Sequence, residues 1–277
     1  MEIKHRICIS PKRDSKAWKK FQKLGIKMEE GGDGKIVRLN YFDINESDLL
    51  WPKVEKIITS AEILATTETI FTKEEIQSAK WVRVSPDFIH GYPMPDLDGS
   101  WMNVSFNEGQ DCPKCGMGIK QMAPIHLKSE PRLGKNDFMG INWTFNIFAK
   151  PEVIKVMSKN NINGFETMPA LHYKTKAPLN TVMQLRFTQE LSKGLIDDNL
   201  TKEFPECGHI KYLGLSRGMY KFPKDSFDGV PDFVKTSEWF GSGHLALRLT
   251  LASSAFVDLY TKNKWKGLRL EPIELIS

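Results

Sequence analysis

The feature that most constrains the fold of this 277-residue chain is a weak internal repeat in its C-terminal part. Five positions are identical at an offset of 103 residues, among them Gly164 and Pro169, which match Gly267 and Pro272. Each copy also has an alternating apolar segment followed by an amphipathic one. A single unit of this kind cannot bury its own apolar face, so we expect the two copies to pack together.

Each copy predicts a strand, a helix and a second strand. The predicted elements of the first copy are a strand over residues 143–147, a helix from Pro151 and a strand over residues 165–171. Those of the second copy are a strand over residues 245–251, a helix from Ser253 or Ser254 to about Asn263, and a strand that follows Gly267. The repetition predicts architecture and implies no active site.

The N-terminal part predicts a separate region. A strand over residues 4–9 precedes a helix that begins near Asp14, a favourable N-cap residue, and ends at Gly25. Residues 85–100 are rich in proline, glycine and aspartate, which is typical of a loop. We therefore predict an α+β protein with mixed sheets and flanking helices. We expect residues 1–100 to form an N-terminal α/β region and residues 101–277 to form a duplicated α+β domain with zinc-knuckle-like loops.

Basic residues are concentrated at the N-terminus. The whole chain has 39 Lys and Arg residues against 34 Asp and Glu residues, a net charge of +5. Residues 1–27 contain nine of the basic residues and two acidic ones, so the other 250 residues have a net charge of −2. This distribution argues against a molecule built throughout to bind nucleic acid. The lysines of residues 16–23 fit either a solvated helix face or a surface for phosphate or an acidic partner.

Hydropathy and cysteine usage indicate the compartment. No segment approaches the roughly 18 consecutive apolar residues that a membrane helix needs. The N-terminus has no apolar stretch typical of a secretory signal. Four cysteines in 277 residues are too few for a disulfide scaffold. We expect a cytoplasmic protein without a membrane partner.

Cys112 and Cys115 lie in a Cys-Pro-x-Cys-Gly segment that is typical of a zinc knuckle. Thiolates three positions apart can bind one metal ion, proline stiffens the turn, and glycine permits positive φ. Two other interpretations stay open, an unmetallated pair and a thioredoxin-type redox pair. The segment Gly116-Met117-Gly118 argues against the redox pair, because such a pair opens a helix.

A tetrahedral site needs two more ligands, and the segment 207–209 contains the remaining candidates of the C-terminal part. We predict a structural Zn²⁺ site whose ligands are Cys112, Cys115, Cys207 and His209. Four protein ligands leave no position for a reactive water, so the ion would join distant parts of the chain. Cys8 is expected to be a small buried residue of the first strand.

Catalytic motifs are absent or incomplete. Segment 214–218 matches Gly-x-Ser-x-Gly, but the residues after it do not predict the helix that a nucleophile elbow needs. His-Glu-x-x-His, Walker A and Gly-x-Gly-x-x-Gly motifs do not occur. His90, His126 and His172 have no partner at a catalytic spacing. We predict no catalytic residues and no enzyme activity, and we keep an enzyme that uses the loop around His90 as an alternative.

From about Gly109 to the C-terminus, the order of motifs resembles the double-CxxCG family, which is best represented in myxobacteria and includes immunity proteins of secreted-toxin systems. The resemblance rests on segments 112–116, 143–148, 160–165 and 207–208. Where the family has a second complete Cys-x-x-Cys-Gly, Phe204 replaces the first cysteine. His209 is therefore our own substitute for the fourth metal ligand.

The resemblance implies a cytoplasmic, non-catalytic protein that binds and neutralises a cognate protein toxin. The alternative is a zinc-ribbon protein that binds nucleic acid, suggested by the knuckle and by the basic aromatic segment 16–27. We disfavour nucleic acid as the partner, because the chain beyond this segment is close to neutral.

Overall fold

The structure is a computed structural model that describes residues 1–31, 39–97, 99–106, 111–196 and 200–277. It confirms the α+β class, because helices flank several separate sheets in which most strands pair antiparallel. The chain divides into two units. Unit 1 contains Met1–Thr72 and Leu215–Gly218, and unit 2 contains Lys73–Gly214 and Met219–Ser277. No helix in the described part of the chain has the length and apolar character needed to cross a membrane.

Unit 1 is a four-stranded antiparallel sheet that packs against two helices. Its elements are β1 (Glu2–Ile9), α1 (Ser15–Lys23), β2 (Glu29–Gly31), β3 (Leu39–Asn45), α2 (Trp51–Ala61) and β4 (Ala65–Ile70), with strand order β2-β3-β1-β4. The predicted first strand and the helix after Asp14 are confirmed. Ile7 and Ile9 of β1 are buried with Phe21 of α1 and Val54 of α2, because alternate residues of a strand share one face.

Unit 2 contains two larger sheets and two short strand pairs. Its helices are α3 (Lys73–Ser78), α4 (Trp101–Ser105), α5 (Pro151–Lys159) and α6 (Ser254–Lys262). Its strands are β5 (Trp81–Pro86), β6 (His126–Leu127), β7 (Phe138–Met139), β8 (Ile147–Ala149), β9 (Glu166–His172), β10 (Pro178–Arg186), β11 (Lys202–Glu203), β12 (Lys211–Tyr212), β13 (Lys221–Pro223), β14 (Phe233–Lys235), β15 (Thr250–Ser253), β16 (Leu268–Pro272) and β17 (Glu274–Ile276). The larger sheets have the orders β6-β9-β10-β8-β7 and β14-β15-β5-β16, and the short pairs are β11-β12 and β13-β17.

The sequence boundary expected after residue 100 falls inside unit 2, which begins at Lys73. β5 explains this placement, because it lies between β15 and β16 in one sheet. The proline-rich loop over residues 85–100 therefore connects elements within one unit.

The repeat corresponds to similar arrangements in the two larger sheets. In each, a helix joins two strands that flank a third strand: β8 and β9 flank β10, and β15 and β16 flank β5. Val153 and Met157 of α5 share one core with Phe256 and Val257 of α6. The apolar faces of the two helices are thus buried together, as expected for units that cannot bury them alone.

The repeated glycines lie where the two copies meet. Gly164 and Gly267 both have positive φ, 87° and 105°. A Cβ on Gly164 would lie 2.2 Å from the carbonyl oxygen of Phe233, and one on Gly267 would lie 2.1 Å from that of Phe138. Phe233 and Phe138 begin β14 and β7, so each glycine packs against the edge strand of the sheet that holds the other copy. Only glycine permits so close an approach of two backbones.

The first strand of each copy is shorter and begins later than the alternating pattern predicts. β8 begins at Ile147, because Trp143 has a left-handed backbone with φ of 65° and turns the chain. β15 begins at Thr250, since Leu247 forms only an isolated bridge with Phe240. The strand predictions over 143–146 and 245–249 are therefore wrong.

Candidate metal centre

The Cys112–Gly116 segment forms a tight turn held by backbone hydrogen bonds. The N–H groups of Cys115 and Gly116 both donate to the carbonyl oxygen of Cys112, at 3.2 and 2.7 Å. The N–H of Cys112 donates to the carbonyl oxygen of Met117 at 2.8 Å. Gly116 has a φ of 73°, a conformation that favours glycine. Local backbone structure therefore builds the predicted knuckle.

Backbone amides also surround the two knuckle sulfurs. The N–H groups of Lys114 and Cys115 donate to the Cys112 sulfur and lower the pKa of Cys112 to about 7. Burial raises the pKa of the Cys115 thiol to about 11, although the N–H of Met117 acts in the opposite direction. The same turn therefore offers one sulfur that ionises easily and one that needs a bound cation to ionise near neutral pH.

The knuckle packs against a third loop, residues 241–247. A Cβ on Gly116 would lie 2.2 Å from the carbonyl oxygen of His244. This close approach is a second reason, besides the positive φ, why the position requires glycine. No sequence motif predicts this loop, because any residue type can supply the backbone carbonyl that makes the contact. The only available signal was the pair of glycines at 241 and 243.

The second pair of predicted ligands lies in the loop between β11 and β12. Gly208 lies between Cys207 and His209, has a φ of 81°, and donates its N–H to the carbonyl oxygen of Pro205 at 3.0 Å. Phe204, three residues before Cys207, is exposed.

All four predicted ligands meet in one cluster. One ligand atom from each of Cys112, Cys115, Cys207 and His209 lies within 4.8 Å of all the others. The Cys115 sulfur and Nδ1 of His209 are 3.2 Å apart. Cys115 is buried, the other two cysteines are half-buried, and His209 is exposed. The cluster therefore could hold a metal ion, with one ligand at the protein surface.

The donor set can be tested against the geometry that zinc requires. Zinc-sulfur bonds of about 2.3 Å place tetrahedral ligands about 3.8 Å apart. The present separations extend to 4.8 Å, so a contraction of about 1 Å would complete the site. Three sulfurs and one imidazole nitrogen are ligands typical of structural zinc sites.

Other sequence candidates stay outside the cluster. Cys8 lies in β1 of unit 1 as expected but is half-buried, so the prediction that it is buried is wrong. All four cysteines are free thiols. Ser216 of the Gly-x-Ser-x-Gly segment also belongs to unit 1. Within the described ranges, this is the one group of three or more His, Cys, Asp or Glu residues that could hold a metal ion, and none of His90, His126 and His172 belongs to it.

Comparisons with known proteins did not identify a family for this chain. No protein-family model matches the chain, and no curated protein matches it at a significant level.

Proposed function

We propose that this chain is an immunity-type protein, cytoplasmic and non-catalytic, that binds and neutralises a cognate secreted toxin and contains a structural zinc ion. The observation that carries the proposal is the Cys3His cluster, because four protein ligands fill a tetrahedral site and leave no position for a reactive water. The resemblance of the motif order to the double-CxxCG family supports the toxin as partner. A centre of this kind stabilises a fold, which suits a protein whose task is binding.

Zinc is the metal we propose, because thiolates and imidazole together select it over oxygen-preferring cations. Elemental analysis of protein purified without chelator should find about one zinc per chain. Cys112→Ser should weaken metal binding on the order of a hundredfold and retain much less zinc. Cys8→Ser is the matched control and should keep it, since Cys8 lies in unit 1. Wild-type protein without any bound metal would reject the zinc centre.

An exposed aromatic pair in unit 2 supports the binding part of the proposal. The rings of Tyr92 and Trp143 lie 4.7 Å apart, and these residues are 47% and 55% exposed. Asn142 donates both its backbone N–H and its side-chain amide to the carbonyl oxygen of Gly91, which joins the two loops. A bulky residue with positive φ, such as Trp143, is uncommon and often marks a functional constraint. Exposed aromatic side chains on fixed loops are suited to anchor a protein partner.

Co-expression with the toxin encoded next to this protein tests the function. Wild-type protein should rescue growth. Trp143→Ala should weaken toxin binding by about 2 kcal/mol, roughly 30-fold, if Trp143 is an anchor. Leu49→Ala, which truncates an exposed apolar residue of unit 1, is the control and should rescue like wild type. Failure of the wild-type protein to rescue would end the immunity proposal.

One observation favours the alternative of nucleic-acid binding. The exposed lysines of α1 are Lys16, Lys19, Lys20 and Lys23. In the described part of the chain, no carboxylate pairs with them, although like charges at this spacing destabilise a helix by about 0.2–0.5 kcal/mol per pair. Trp18 and Phe21 pack into the unit 1 core, so they are not available to stack on bases.

Fluorescence anisotropy with a duplex DNA oligonucleotide tests the alternative. A nucleic-acid binder should bind at 50 mM salt and lose affinity steeply by 200 mM, as phosphate contacts release counterions. Replacing the four lysines with glutamine should abolish the binding. No binding of the wild-type protein at low salt would eliminate this function.

A further inference from the structure

Lys211 is the one lysine or arginine among the described residues that is buried, with 0% exposure. It begins β12, two residues after His209. Its Nζ donates to the carbonyl oxygens of Cys115 at 3.2 Å, Gly243 at 2.6 Å and Leu245 at 3.0 Å. Three acceptors match the three N–H donors of an ammonium group.

No carboxylate neutralises this ammonium directly. Glu203 lies opposite Lys211 in the β11-β12 pair, but its Oε1 accepts from the N–H of Gly243 at 2.9 Å. Throughout the described residues, Lys211 forms no ion pair within 4 Å, and its three hydrogen-bond acceptors are backbone carbonyl oxygens. A buried charge is costly unless negative charge lies nearby. One source is the Glu203 side chain across the strand pair, whose Oε2 is buried without a hydrogen-bond partner among the described residues.

The metal cluster supplies such a charge once it is loaded. Three thiolates and a neutral imidazole around Zn²⁺ have a net charge of −1. Lys211 contacts the carbonyl group of Cys115 and follows Cys207 and His209 along the same hairpin. Lys211 therefore connects the two halves of the cluster. Its ammonium group donates a hydrogen bond to the backbone carbonyl of Cys115, one of the proposed metal ligands.

We propose that Lys211 is a positioning residue of the metal centre: its ammonium holds the Cys112–Gly116 knuckle against the hairpin of Cys207 and His209, and it offsets the negative charge of the loaded site. This inference rests on the metal centre proposed above. Residues that orient metal ligands in this way typically change metal affinity by about 10- to 100-fold when they are replaced.

A purely structural role would give a different result. Lys211 also anchors the 241–247 loop through Gly243 and Leu245. If that were its whole role, replacement would lower the thermal stability of the metal-free and metal-loaded protein alike and leave the metal dissociation constant unchanged. A positioning residue changes the dissociation constant itself.

The test measures Zn²⁺ and Co²⁺ dissociation constants of the full-length chain by competition with a chromophoric chelator. Lys211→Met should weaken binding of both metals by about 10- to 100-fold. Lys211→Arg, which keeps the charge and the donors, should restore most of the affinity. Lys114→Met is the matched control, because it removes an exposed knuckle lysine paired with exposed Glu206, and should change affinity less than threefold.

The outcomes separate this inference from the proposed metal centre. Wild-type protein that binds neither metal would reject the centre itself. Wild-type protein that binds metal, together with Lys211→Met protein of equal affinity, would overturn the role of Lys211 alone. A Lys114→Met loss as large as that of Lys211→Met would also overturn it. If Lys211→Met does not fold, Lys211→Gln takes its place with the same expected loss.

Discussion

The two halves of the metal cluster differ in how much of their geometry exists without a metal ion. In the knuckle, backbone hydrogen bonds close the turn, amides donate to both sulfurs, and Gly116 is pressed against the His244 carbonyl. In the second half, His209 is exposed, and a Cβ on Gly208 would meet nothing within 4 Å. The knuckle ligands are therefore fixed by more protein contacts than Cys207 and His209, which lie in the loop between the paired strands β11 and β12.

The largest expected effect comes from comparing Cys115→Ser with Cys207→Ser. A structural zinc contributes roughly 10–16 kcal/mol through four ligands, so losing either thiolate should cost on the order of 3 kcal/mol, about a hundredfold in metal affinity. Only Cys115→Ser should also destabilise the metal-free protein, by about 1–3 kcal/mol, because it places a hydroxyl at a fully buried position.

Chelator competition and urea unfolding of metal-free protein measure these two effects. Cys8→Ser serves as the control for cysteine replacement outside the cluster. Equal losses of metal-free stability for Cys115→Ser and Cys207→Ser would contradict the difference between the two halves.

The next largest effect is the loss of stability when either of the two glycines that follow the ligand cysteines is replaced by alanine. Gly116 and Gly208 have similar positive φ values, 73° and 81°, so alanine should cost each about 1–2 kcal/mol in backbone strain. Gly116→Ala should cost more than this, because its Cβ would lie 2.2 Å from the His244 carbonyl oxygen. Thermal unfolding should show a larger decrease in Tm for Gly116→Ala. A larger decrease for Gly208→Ala would disprove the tighter packing of the knuckle.

A smaller effect identifies the fourth ligand. His209→Ala should lower metal affinity on the order of tenfold, about 1.4 kcal/mol, since solvent can replace an exposed imidazole. His244→Ala is the matched control, because that histidine lies beside the knuckle but outside the cluster. Isothermal titration with Zn²⁺ measures both variants. Unchanged affinity for His209→Ala would remove His209 from the ligand set.

The smallest effect is a difference in reactivity between the two knuckle sulfurs. In metal-free protein, the lowered pKa of Cys112, about 7, means that its thiolate accumulates as the pH rises through 7. The raised pKa of Cys115, about 11, keeps that thiol protonated across the same range. Iodoacetamide should therefore alkylate Cys112 with half-maximal rate near pH 7 and spare Cys115, as peptide mass spectrometry would show. Equal alkylation of both at pH 8 would rule out this arrangement.

Several elements could be predicted because their signals are local. The knuckle follows from the spacing of Cys112 and Cys115, and the paired modules follow from apolar periodicity around Gly164 and Gly267. The first strands of the modules could not be placed from periodicity alone. Alternating apolar residues also occur in the turn at Trp143, where the backbone is left-handed.

The domain boundary likewise could not be predicted from local sequence patterns. A proline-rich loop is a local signal, whereas the pairing of β5 with β15 and β16 joins residues far apart in the chain. Pairing across such a distance depends on which apolar faces pack together in the folded chain, and no local pattern predicts it.

By itself, the sequence determined the α+β class, the repeated strand-helix-strand modules and the four residues that meet in the cluster. Spacing along the chain decides these features, because ligand pairs and helix faces are set by a few neighbouring residues. Only the tertiary structure decided that the 241–247 loop packs against Gly116 and that Lys211 is buried beside the cluster. Both contacts are made to backbone carbonyl groups, which every residue has, so the residue types that supply these carbonyls do not predict the contacts.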